Sequence, residues 1–311
     1  IERIIINDYG DADKLLDVEQ WGTATWQSME RAFRGARNMH MSATDAPDLS
    51  RVYTMNQMFE DAHAFDAPLN HWDVSTVKRM SAMFRNARSF NQHLFAWDTG
   101  NVTTMSSMFA GAEAFNGSVS GWDTSNVEEI CRMFMGATSF NRPVNAWDTS
   151  SVFDMHQTFR NARSFNQDLD EWNVRLVRSC FCFLEGAVSF NGAMSGWDLV
   201  CMNSLAGMFR NAKAFNQPIG DWTFYDEWET DGYFPYLDEM FKGASSFNQP
   251  INRWAVPASA SVERMFEGAQ AFDQDLSDWE AEPDLSNLDL PNQDPSNQED
   301  SGLTVINRYE P

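Results

Sequence analysis

Five histidines (His40, His63, His71, His93, His156) and four cysteines (Cys131, Cys180, Cys182, Cys201) are the side chains here best suited to ligate a transition metal or act as a nucleophile. Their spacing matches no working pattern: the sequence contains no HExxH, GxSxG, GxGxxG or Walker motif. His63 follows Glu60 by three residues and reads as a solvated outer-edge residue. The acids of "DYGDAD" at Asp8 surround a glycine but lack the twelve-residue calcium-loop pattern. Cys180 falls in an apolar column and reads as a small buried hydrophobe, and no cysteine pair is placed for a disulfide. The expectation is therefore no catalytic residue, no cofactor and no metal.

The elements that would position any chemistry repeat themselves. Aligned on the Phe of "MF", the chain places Phe33, Phe59, Phe84, Phe109, Phe134, Phe159, Leu184, Phe209, Phe241 and Phe266 at steps of 25, apart from one of 26 and one of 32. Ala follows three residues later, from Ala36 to Ala269. A second aromatic comes after six, as in Phe65, Phe90 and Phe115, with Met39 in the first coil. Asn is next (Asn91 through Asn248, with Asp66 and Asp273 flanking), and then Trp from Trp72 to Trp279. Pro47 takes the Trp place once, and Trp21 fits one coil earlier.

Within "WDVSTVKRMSAMFRNA", Val77, Met80, Met83, Phe84 and Ala87 fall on one helical stripe, with Asp73 and Ser75 as N-cap types. Phe90, Leu94 and Trp97 then point inward from a short extended stretch. The fold class expected is α/β: a leucine-rich-repeat-like solenoid of about ten 25-residue coils, each a short helix plus a short parallel strand. Neither element buries its apolar face alone, so the array is the stable unit. Stacking puts Phe on Phe and Trp on Trp, about 4.8 Å apart where strands pair. The Asn column is expected to be buried, bonding backbone of its own and the next coil. On that reading the sequon at Asn116 is unusable, whereas the one at Asn101 is acceptable.

The pattern "MF..A..FNQ.L..WD.S.V..M" resembles the repeat of BspA-like leucine-rich-repeat surface proteins, which occurs also in mycoplasma lipoproteins, listerial surface proteins and many protist and algal proteins. The resemblance runs from Trp21 to Trp279. It implies a right-handed solenoid with a role in adhesion or protein contact, and no catalytic residue. The chain differs in the expansion before Met240, in its acidic ends and in having no visible lipid-attachment Cys.

Residues 1–20 read as an N-terminal cap, with Ile4, Ile5, Ile6, Leu15 and Leu16 over the first coil; 21–279 as the solenoid, expanded at 223–236; and 280–311 as an acidic extended tail with apolar anchors for a groove on this chain or a partner. The expansion gathers Phe224, Tyr225, Trp228, Tyr233, Phe234 and Tyr236 among acids, a candidate partner or sugar-stacking surface. The net charge of −23 excludes nonspecific binding to nucleic acid or anionic membrane, and no segment is long and apolar enough to cross a bilayer. Against that charge, nine of the 22 basic residues sit at the first and fourth positions after each "MF" Phe, including Arg85, Arg88, Arg160, Arg163, Arg210 and Lys213. This ridge, broken by Glu60, Glu113, Glu185 and Glu267, either pairs with acids of adjacent coils or forms a track for an acidic partner. The functional expectation is a noncatalytic interaction or scaffold solenoid, a surface adhesin or linker subunit of a large assembly, with carbohydrate binding by the aromatic expansion as the alternative. The location expected is a cell surface, a secreted setting or an organelle lumen of a protist or alga.

Overall fold

A computed structural model describes residues 3, 4, 6, 11–222, 236–254, 256, 260–277 and 279. Counting from each "MF" Phe as position 0, successive coils pair in parallel at position −5: Thr54↔Arg79, Arg79↔Thr104, Thr104↔Glu129, Glu129↔Asp154, then Ser179↔Ser204, Ser204↔Tyr236 and Tyr236↔Ser261. Each residue thus faces its equivalent one repeat away, which makes the chain a solenoid. Its entry is a 3₁₀ turn, Ala12–Lys14, followed by strand β1 (Asp17–Val18) parallel to β2 (His40–Met41). Ile4, Ile6 and Leu15 pack against the core, whereas Leu16 is exposed and covers nothing.

The expected helix does not form: among the described residues there is no α-helix. The reason lies in the backbone hydrogen bonds. Ala82, Phe84 and Asn86 donate to Ser106 O, Met108 O and Ala110 O of the next coil at 2.7–2.8 Å, while Met83, Arg85 and Ala87 close turns onto Met80, Ala82 and Phe84. Alternate N–H groups therefore leave the segment, whereas a helix keeps them all. The backbone is turned by left-handed residues at positions −2 and +2 of all ten coils, such as Ala82 (φ 54°) and Asn86 (φ 57°). Position +2 is filled throughout by residues that tolerate this: Gly35, Asp61, Asn86, Gly111, Gly136, Asn161, Gly186, Asn211, Gly243 and Gly268. Apart from β1 and β2, the pairing is by single bridges rather than extended strands.

One continuous core runs from Trp21 to Trp279. Rings of the first column stack in file, Phe59–Phe84 at 5.5 Å, Phe84–Phe109 at 5.4 Å and Phe109–Phe134 at 5.6 Å. A second file holds Phe65, Phe90 and Phe115 at 5.8 Å, and a third Trp97, Trp122 and Trp147 at 6.3 and 6.1 Å. From Trp97 onward the indoles of this file are also anchored: Trp97 Nε1 donates to Leu69 O and Trp122 Nε1 to Leu94 O, both at 2.8 Å in the preceding coil. The seventh coil reverses Met-Phe to Phe183-Leu184, and Phe183 meets Phe159 edge-on at 5.4 Å.

The Asn column forms a ladder at the solenoid rim instead of in the core. Asn91 Oδ1 accepts from Asn116 N at 2.7 Å and Asn116 Oδ1 from Asn141 N at 3.0 Å, while Asn91 and Asn141 are exposed. Asn116 is half-buried, so burial is not what would block its sequon; its carbonyl oxygen is committed to the ladder. Asn101 is exposed and donates to Ser75 O.

Candidate functional site

The basic ridge resolves into two rows. At position +1 the cations alternate with acids of neighbouring coils. The buried Glu60 carboxylate is held by Arg34 Nε at 3.0 Å and Arg85 Nη2 at 2.8 Å; Glu185 is held by Arg160 Nε at 2.8 Å and Arg210 Nη2 at 2.7 Å. Arg210 also pairs with Glu239, and Lys242 with Glu239 at 3.1 Å and Glu267 at 3.0 Å. Hydrogen bonds from Arg264 and then Lys242 hold Glu267 down to about 2, and that from Arg210 lowers Glu239. The acids that interrupt the ridge in sequence are its counter-ions in space. Arg85, Arg160 and Arg210 are thus built into the rod. At position +4, Arg88 stands 3.7 Å from Glu113, and Arg163 and Lys213 are exposed.

The ladder skips two coils. Ala110 and Met135 occupy the places that Glu60 and Glu185 fill elsewhere, and between Arg85 and Arg160 lies a groove of about 540 Å³. Gly111 and Gly136 keep its floor low, and Arg132 lines it with Nε bonded to Gln157 Oε1 at 2.7 Å. Its lining holds three guanidinium groups and no carboxylate.

Adjacent to Arg132, the fold gathers residues whose sequence spacing gave no sign of a site. Cys131 and His156 share position −3 in neighbouring coils, and Asp154 lies at position −5 beside His156. Their ligand atoms all lie within 4.8 Å of one another, and all three residues are half-buried. His156 Nδ1 meets Asp154 Oδ1 at 2.6 Å, and Cys131 Sγ donates to Ser106 Oγ at 3.2 Å, which in turn donates to Glu129 Oε2 at 3.1 Å. Burial raises the Cys131 thiol. Cys180 and Cys182 are buried in the core region and raised by desolvation, Cys182 to about 12, so neither is an accessible nucleophile. The cysteines are free.

Of the aromatic expansion, Phe224, Tyr225, Trp228, Tyr233 and Phe234 lie outside the described residues, as does the tail, so the sugar-stacking and tail-docking expectations rest on sequence alone. Tyr236 is described: its ring is exposed while its backbone bridges Ser204 and Ser261. Phe153, Leu176 and Phe181, which the sequence did not single out, are also exposed.

The parallel registry, the aromatic files and the surface ladders define a repeat solenoid. The chain belongs to the family described as "Mycoplasma protein of unknown function, DUF285", whose model matches residues 7–121, 113–222 and 223–290. Among solved structures it is similar to one titled "Crystal structure of TLR13-ssRNA13 complex", at 10% identity and a TM-score of 0.32, over 83% of this chain and 36% of that one; it thus spans about a third of that neighbour. No curated protein sequence matches it. No described helix is long and apolar enough to cross a membrane.

Proposed function

We propose that this chain is a noncatalytic, BspA-like interaction scaffold whose groove between Arg85 and Arg160 receives an acidic segment of a partner protein. The observation behind this reading is the two-coil gap in the position +1 ladder, where Ala110 and Met135 supply no carboxylate while Arg85, Arg132 and Arg160 line the groove. A partner carboxylate there would stand where Glu60 and Glu185 stand in their coils. The net charge of −23 does not oppose this at contact, because charges beyond roughly 8 Å are screened at physiological salt. A rod with its interior filled by stacked rings has its exterior left for recognition, which suits a surface adhesin or a linker in a large assembly, at a cell surface, in a secreted setting or in an organelle lumen.

The test is fluorescence anisotropy with a labelled Glu-rich peptide. Ala110→Glu writes the missing ladder acid into the groove, copying Glu60 at the equivalent place, and should weaken peptide binding at least tenfold while leaving the melt intact. Arg175→Ala, outside the groove, should change nothing. Peptide binding unaffected by Ala110→Glu, or no binding at low salt, overturns the reading.

A further inference from the structure

We propose that Cys131, Asp154 and His156 form a binding site for a divalent transition-metal ion of the zinc class. The three come from two coils brought side by side: Asp154 and His156 are two residues apart on one face of the sixth coil, and Cys131 sits below His156 in the fifth. Thiolate, imidazole and carboxylate together suit zinc or cobalt, whereas magnesium and calcium call for oxygen ligands alone. The ligand atoms lie within 4.8 Å of one another. Tetrahedral coordination brings such atoms to about 3.5 Å apart, a contraction that half-buried side chains reach by small rotations.

The surroundings favour a cation. Glu129 stands one hydroxyl from Cys131, through Ser106, and adds a second carboxylate next to that of Asp154. Asp154 Oδ1 and His156 Nδ1 already stand 2.6 Å apart, and an ion ligated by both would take the place of the proton they share. The three residues are half-buried, so the site is not sealed from solvent. The run of parallel bridges that passes through Thr104, Glu129 and Asp154 stops at Asp154 and resumes at Ser179, although Gln157 N still ties the seventh coil on through Phe181 O at 3.0 Å. Phe153 and Phe181, both exposed, flank the same break. Three protein ligands leave one tetrahedral position, which water or Glu129 can fill.

The repeat supplies the fold-neutral variants. Ser106 occupies the position of Cys131 one coil earlier, Ala206 that of His156 two coils later, and Ser179 that of Asp154 one coil later. Cys131→Ser, His156→Ala and Asp154→Ser each place a residue that the same backbone position already carries, and metal-free melting should confirm that each folds. The experiment is a Co²⁺ titration of the full, reduced, metal-stripped chain followed by absorption, with Zn²⁺ as competitor and Mg²⁺ as control. We expect a thiolate-to-cobalt charge-transfer band that saturates at one equivalent and is abolished by Zn²⁺ but not by Mg²⁺. Cys131→Ser should remove the band, and His156→Ala and Asp154→Ser should each weaken Co²⁺ binding by at least about tenfold. No band with the thiols verified as reduced, a band that survives Cys131→Ser (as it would if exposed Cys201 were the ligand), or affinity unchanged in either other variant overturns the proposal. Peptide binding in the groove is read separately, so failure here leaves the scaffold reading standing.

Discussion

Replacing Gly136 by Ala tests the left-handed turn scheme by the sign of its effect. Were the "MF" segment a helix, Gly→Ala would stabilise it by about 1 kcal/mol. In the observed fold Gly136 has φ 71°, and an added Cβ meets nothing nearer than Gly111 Cα and N at 3.8 Å. The substitution then costs only backbone strain, about 1–2 kcal/mol. Gly111 has the same φ, but its Cβ would fall 2.3 Å from Asn86 Oδ1. Asn86 must give way, endangering the bond from its Nδ2 to Asp61 Oδ1 at 2.8 Å. That adds about 1 kcal/mol, so Gly111→Ala should cost about 2–3 kcal/mol. Ser107→Gly relieves a left-handed serine (φ 58°) at a position where Gly207 already serves, and should gain about 0.5 kcal/mol net of the chain entropy that glycine loses. The assay is urea unfolding followed by far-ultraviolet circular dichroism, compared at constant slope. A stabilising Gly136→Ala, or equal costs at Gly111 and Gly136, would refute the reasoning.

Trp122→Phe keeps most of the ring but removes the bond from Trp122 Nε1 to Leu94 O at 2.8 Å, leaving that carbonyl its second donor, Trp97 N at 3.2 Å; a loss of about 0.5–1.5 kcal/mol should appear in the urea midpoint. Glu60→Ala leaves Arg34 and Arg85 facing each other without their buried carboxylate and should cost about 3–5 kcal/mol. Glu113→Ala removes an exposed partner 3.7 Å from Arg88 and should stay within about 0.5 kcal/mol. Acid should also weaken the fold through the turn carboxylates. Ser50 and Thr25 hydroxyls hold Asp48 at about 2, and Ser75, Ser125 and Ser150 lower Asp73, Asp123 and Asp148 from 3.8. Because the folded values are depressed, this stability is present above pH 4 and is lost as pH falls toward 2; urea midpoints across that range should drop, and less steeply in Asp48→Asn.

The aromatic files were legible because a residue recurring at one repeat position must stack on itself once coils pair in registry. The path between them was not, and Met80, Met83, Phe84 and Ala87 show why. Inward positions three or four apart arise equally from a helix and from a chain turned at every fourth residue, so periodicity alone could not separate them. The deciding signal was present at position +2, where every coil has Gly, Asn or Asp. Asn91 and its equivalents were correctly seen to bond the next coil, but one polar atom accepting one backbone N–H needs no burial, and the ladder sits at the rim. Glu60 and Glu185 looked like gaps in a basic ridge only while read along the chain. Cys131 and His156 escaped notice because ligand motifs are sought at short spacings, whereas in a solenoid residues one repeat apart are nearest neighbours.

That same geometry gives departures from the repeat their meaning. A side chain that copies its equivalents is accounted for by stacking, so function should lie where the copying fails without the fold failing. Position +1 breaks its charge alternation at Ala110 and Met135, whereas position −3 varies along the array, from Asn56 through Ser106, Cys131 and His156 to Phe181 and Asp238. That break falls in the fourth and fifth coils, and Arg132 of the groove is the residue after Cys131 of the cluster. The groove and the cluster therefore adjoin, one marked by a broken charge pattern and the other by ligand side chains meeting at a variable position. Substitutions at positions +1 and −3 of these coils should therefore alter binding with little change in unfolding midpoint. The matching substitution at Glu60, in the second coil, should by contrast lower the midpoint, because its buried carboxylate holds Arg34 and Arg85.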